Sequence, residues 1–134
     1  MKYGWLDLAL CVLLCAGCGP DRPQTVHVNG RITFAGGTPP AADSIAFAPL
    51  EPAAGFPRRP ASGSFDTSGT IHVTSFKEND GLVPGRYEVK VECWRKPPSE
   101  LSEGESLLPE GFTVPDFDVP TRGPVTLSID VPRP

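Results

Sequence analysis

The sequence predicts an all-β protein, a single antiparallel β-sandwich behind an export signal. Apolar and polar residues alternate in several short segments, which is the pattern of strands that bury one face. No segment keeps an apolar period near 3.6 for three turns. The 134 residues suit one domain, and their 17 prolines and 14 glycines leave little room for helix.

The N-terminal apolar run extends only from Leu8 to Ala16 and follows Lys2. A membrane-spanning helix needs about 20 apolar residues, so this run is too short to span a bilayer. A positive start, a short apolar run and small residues before a break are typical of a secretory signal. Residues 1–17 are therefore predicted to be a signal peptide.

The small pair Ala16-Gly17 directly precedes Cys18, and this arrangement resembles the lipobox of bacterial lipoproteins. The resemblance implies cleavage before Cys18, a diacylglycerol on its thiol and acylation of its amine. Residues 18–24 would then tether the domain to the cell membrane or outer membrane. The alternative is an ordinary signal peptide that is cut nearby, with Cys18 unmodified.

The first two predicted strands lie in TVHVNGRITF and DSIAFAP. The apolar residues at every second position are Val26, Val28, Ile32 and Phe34 in the first segment, and Ile45 and Phe47 in the second. The opposite parity is mostly polar, so each strand would bury one face.

The next two predicted strands form a hairpin. Phe65 leads into the turn Asp66–Gly69, after which Ile71 and Val73 alternate with polar residues. Aspartate and glycine between two alternating runs favour such a turn.

The last two predicted strands have the clearest alternation. In GRYEVKVECW, Tyr87, Val89, Val91 and Cys93 share the inward parity, and Val125, Leu127, Ile129 and Val131 share it near the end of the chain. We expect these residues to be buried: Val28, Ile32, Phe47, Val89, Val91, Leu127 and Ile129. We expect Lys90 and Glu92 to be exposed.

Three segments together resemble the carboxypeptidase regulatory-like domain: NGRITFAGGTPP, FDTSGTIHVTSF and DGLVPGRYEVKVE. The resemblance covers residues 25–131 and implies a transthyretin-like (prealbumin-like) sandwich of about seven strands. The family's turn, hairpin and core strand match Gly37–Pro40, Asp66–Gly69 and Pro84–Val91. Pro84, Gly85 and Tyr87 are thereby predicted to be structural, and the fold alone implies no activity.

No catalytic residue and no cofactor are predicted. His27 and His72 have outward parity in different strands, and Cys93 has inward parity, as expected of an inert buried thiol. No G-x-S-x-G elbow occurs. The net charge of −4 without a basic stripe argues against nucleic-acid binding. The chain is predicted not to be an enzyme.

The connection at 95–123 is long, acidic and rich in proline. Its aromatic candidates for ligand contact are Phe112 and Phe117, together with the adjacent Trp94. No metal site is predicted, although Asp116 and Asp118 are the nearest to candidate calcium ligands. We expect a mobile stretch at 97–105 and a docked stretch at 107–117.

Two functions follow from these observations. The first is a lipid-anchored, non-catalytic structural or interaction module of the cell envelope, whose partners are the membrane and an envelope protein or glycan. The second is a module that binds a glycan or calcium through residues 94–121. The segment 95–123 would either bind a partner or only cover a sheet edge.

Overall fold

The computed structural model describes residues 22–133, and the predicted signal peptide and Cys18 lie outside these residues. The described chain contains strands and no helix, which confirms the all-β prediction. The strands are β1 (Val28–Phe34), β2 (Asp43–Pro52), β3 (Ala61–Phe65), β4 (Thr70–Thr74), β5 (Gly85–Val91), β6 (Trp94–Lys96), β7 (Glu105–Ser106), β8 (Phe117–Val119) and β9 (Val125–Val131).

One continuous sheet of seven strands forms the domain, in the order β8-β5-β2-β3-β4-β1-β9. Strands at both ends of the sheet contribute side chains to the same core. The sheet therefore has the shape of a nearly closed, sandwich-like shell. Strands β6 and β7 form a separate two-stranded sheet.

The inward parity of the strands supplies the core. The fully buried side chains include Ile32 on β1, Ile45 and Phe47 on β2, and Val131 on β9. Six of the seven residues expected in the core are buried, and Lys90 and Glu92 are exposed. The exception is Val91, which is only partly buried and lies beyond the end of the β5–β8 pairing at Tyr87.

One pairing differs from the antiparallel prediction. β1 and β9 are parallel and are paired along their whole length, from Val28 opposite Val125 to Phe34 opposite Val131. Parallel neighbours need a long connection between them, and here the rest of the domain lies between these two strands.

Two aspartates organise the turns around β4. The Asp66 carboxylate accepts hydrogen bonds from the backbone N–H groups of Ser68 and Thr70, which fixes the predicted hairpin turn. The Asp80 carboxylate accepts hydrogen bonds from the backbone N–H groups of Ser75, Phe76 and Lys77. Burial raises the pKa of Asp80, but these backbone donors outweigh it and hold the pKa below its usual value.

Candidate functional site

One groove on the surface of the domain lies beside β5, and we call it the β5 groove. Residues Glu88–Glu92 form one wall, Phe112–Val114 and Asp116 form the other, and Leu50 also lines it. Its volume is about 610 Å³. The groove therefore contains two of the positions singled out in the sequence, Phe112 and Asp116.

The backbone of β5 is open along this groove. The N–H of Glu92 donates to the Ser44 carbonyl at 2.9 Å. The backbone N–H and C=O groups of the even-numbered residues of β5 therefore face β2. In a strand paired on both sides, alternate residues bond to opposite neighbours. The N–H and C=O groups of Val89 and Val91 therefore face the groove.

The open edge has paired groups at each end. At one end Tyr87 pairs with Phe117 of β8, and at the other the Cys93 carbonyl accepts the Leu107 N–H at 2.8 Å. Between them, no hydrogen bond within the described residues joins the groove-facing groups of Val89 or Val91 to the segment 108–116.

Pro115 explains why β8 stops short. Continuing the β5–β8 register beyond Tyr87 and Phe117 would place residue 115 opposite Val89. Proline has no N–H to donate to the Val89 carbonyl, so the ladder ends before this position. The segment 112–116 lies beside the edge without bonding to it.

The groove is acidic with an apolar floor. Glu88, Glu92 and Asp116 line it against one cation, Lys90. The Lys90 ammonium lies 3.7 Å from the Glu88 carboxylate, whereas Glu92 and Asp116 form no ion pair within residues 22–133. Val91, Phe112 and Val114 are partly buried against the core.

The aromatic candidates do not form a platform. Trp94, Phe112 and Phe117 are each half-buried, and none stacks on another ring of residues 22–133. The ring pairs among the described residues are Phe34 with Phe65 and Phe47 with Tyr87. Phe112 lines the β5 groove, Phe117 begins β8, and Trp94 begins β6.

The carboxylates of the long connection do not converge. Within residues 22–133, no group of three or more His, Cys, Asp or Glu side chains could hold a metal ion. Asp116 lines the β5 groove, whereas Asp118 lies opposite Arg86 in the β5–β8 pairing. Both side chains are exposed.

The residues predicted to be structural lie at the start of β5 and tie the preceding connection to the core. The buried Tyr87 hydroxyl donates to the Val83 carbonyl at 2.6 Å, and burial raises the pKa of Tyr87 to about 12. Gly85 is required because a Cβ there would lie 2.7 Å from the Glu51 carbonyl oxygen. Pro84 is fully buried.

The two histidines and Cys93 lie in different environments. His27 and His72 are exposed, and His72 lies 3.6 Å from Asp66. Cys93 is fully buried and forms no disulfide within the described part of the chain, and burial, reinforced by the Asp43 charge, raises the pKa of its thiol. A thiol in this state is a poor nucleophile.

The long connection contains three elements that the sequence analysis missed. Strands β6, β7 and β8 are only two or three residues long, so they show no measurable alternation. The docked stretch was predicted correctly: Leu107, Leu108, Phe112, Val114 and Phe117 pack against the core. The prolines that flank β8 were the available signal for an interrupted edge.

Comparisons with family models, with curated proteins and with solved structures found no match to this chain. Among residues 22–133, no helix has the length and apolarity needed to cross a membrane.

Proposed function

We propose that this protein is a non-catalytic interaction module of the bacterial cell envelope, anchored by lipid on Cys18. Its domain would be of the carboxypeptidase regulatory-like kind. The observation that carries the proposal is the sequence Ala16-Gly17-Cys18 after a short apolar run, with a folded domain whose core begins at Val26.

The spacing between anchor and domain supports this role. Residues 22–25 form no regular secondary structure, and Val26 bonds to Leu82 through reciprocal backbone hydrogen bonds of 2.7 and 3.0 Å. The tether is thus short, and it would hold the domain close to the membrane surface. Acyl chains supply the affinity, because each buried CH₂ contributes about 0.8 kcal/mol.

The test is replacement of Cys18 by alanine in the full chain, expressed in a bacterium that processes lipoproteins. We expect Cys18→Ala to abolish the acylated mature form, and the protein either to leave the membrane fraction or to accumulate as precursor. Intact mass and membrane fractionation measure both results.

Cys11→Ala is the matched control, because it removes a cysteine of the same predicted signal outside the Ala-Gly-Cys motif. It should leave the mature mass unchanged. An unmodified Cys18 in the wild-type protein would overturn the anchor.

A further inference from the structure

We infer that the open edge of β5 binds an extended, basic segment of a partner polypeptide as an added strand. This inference rests on the proposed function, because it gives the chemical class of the partner that such an interaction module would bind. It uses the N–H and C=O groups of Val89 and Val91, the apolar floor of the β5 groove and its carboxylates.

The backbone specifies the shape of the partner. Val89 and Val91 lie on consecutive groove-facing positions of a strand whose other edge is fully paired with β2. Their spacing is that of an antiparallel ladder, so an extended backbone can pair with both residues. Pairing of an extended peptide with an exposed sheet edge is a common mode of peptide recognition.

The side chains specify the partner's composition. Leu50 is one of the two exposed large apolar residues in the described chain, and with Val91 and Val114 it offers apolar contact in the groove. Glu92 and Asp116 have no cationic partner among the described residues. A strand with alternating apolar and basic side chains would satisfy both features.

A second copy of this chain is a poorer occupant on electrostatic grounds. Two copies would each carry a net charge of −4. Their repulsion would oppose edge-to-edge pairing, whereas a basic strand would be attracted to the groove.

Binding can be measured on the full chain purified in detergent, using fluorescence polarisation. The probe is a fluorescein-labelled octapeptide of alternating valine and lysine. Two comparison peptides carry glutamate in place of lysine, or N-methyl groups on alternate backbone nitrogens. We expect each change to weaken binding by about tenfold or more, since it removes charge attraction or strand pairing.

Two variants test the edge itself. Val91→Pro removes a groove-facing N–H without removing a donor to β2, and should weaken binding about tenfold. Val91→Ala keeps that N–H and is the matched control, with an expected change below about threefold. Pro115→Thr restores an N–H donor opposite Val89. β8 can then extend along β5 and close its open edge to the peptide, without loss of stability.

Hydrogen exchange gives an independent readout. The amides of Val89 and Val91 should exchange quickly in the free protein and slowly with the peptide bound. The amides of Lys90 and Glu92 face β2 and should be protected in both states.

The proposal is overturned if the N-methylated peptide binds as well as the parent, or if protection appears away from β5. It is also overturned if the wild-type protein self-associates in a manner that Val91→Pro abolishes, which would identify a second copy as the occupant. Failure of the anchor would appear only in the mass and fractionation of Cys18→Ala, and would leave these binding results unchanged.

Discussion

At the residue scale, Tyr87 shows how one polar group can fix a connection to a core. Its ring is fully buried against Phe47, with the ring centroids 6.5 Å apart, and its hydroxyl reaches the Val83 carbonyl. The sequence predicted the burial and the need for a partner, because a buried hydroxyl must be hydrogen-bonded. It could not identify Val83, since the partner depends on how the chain turns at Pro84 and Gly85.

Tyr87→Phe should lower the free energy of unfolding by about 1–2 kcal/mol, because it leaves the buried Val83 carbonyl without its donor. Urea denaturation at neutral pH measures this difference. An unchanged free energy would show that the hydroxyl bond contributes nothing to stability.

The same residue predicts a pH dependence. Burial raises the folded-state pKa of Tyr87 to about 12, above the value of about 10 for an unfolded tyrosine. The contribution of protonated Tyr87 to the free energy of unfolding is therefore fully present below about pH 10 and is lost as the pH rises toward 12. Wild-type protein should lose more stability than Tyr87→Phe over this range.

At the element scale, β5 combines the most and the least predictable features of the fold. Its parity was read correctly from the sequence, because alternation fixes which side chains face the core. The strands beside it were not read correctly from the sequence. The length of β8 depends on a pairing of only three residues, which stops before Pro115. Val91 consequently lines a groove rather than the core interior.

Matched substitutions separate these two environments. Val89→Asp places an unpaired charge among fully buried side chains, and the domain should not fold, since the cost approaches its whole stability. Val91→Asp places the same charge on a partly buried side chain that lines the β5 groove and should cost only about 1–2 kcal/mol. Circular dichroism and chemical denaturation distinguish the outcomes. Failure of Val91→Asp to fold would place Val91 in the core, as the alternation alone suggested.

At the scale of the whole molecule, the fold depends on contacts between distant parts of the chain. β1 and β9 pair over seven positions, and the chain between them forms the other five strands of the sheet. Alternation predicts that both strands bury one face, but it does not determine which strands are neighbours or their direction. The parallel pair and the open edge of β5 were therefore not predictable from periodicity.

The long connection divides into an exposed part and a part that packs against the core. Residues 97–101 are exposed, and Leu101 is 98% exposed, whereas Leu107 and Leu108 pack against the core. Apolar burial is therefore confined to the second part, and stability should be too.

Replacing Pro98–Glu103 with two glycines tests this division. The shortened loop retains Pro97 and Gly104, so it can still connect β6 to β7 with a four-residue turn. The free energy of unfolding should change by no more than about 0.5 kcal/mol, because no core contact is lost. Leu108→Ala, the comparison variant, removes packing at the core and should cost about 1 kcal/mol or more. Equal losses from both changes would show that the exposed acidic part also supports the fold.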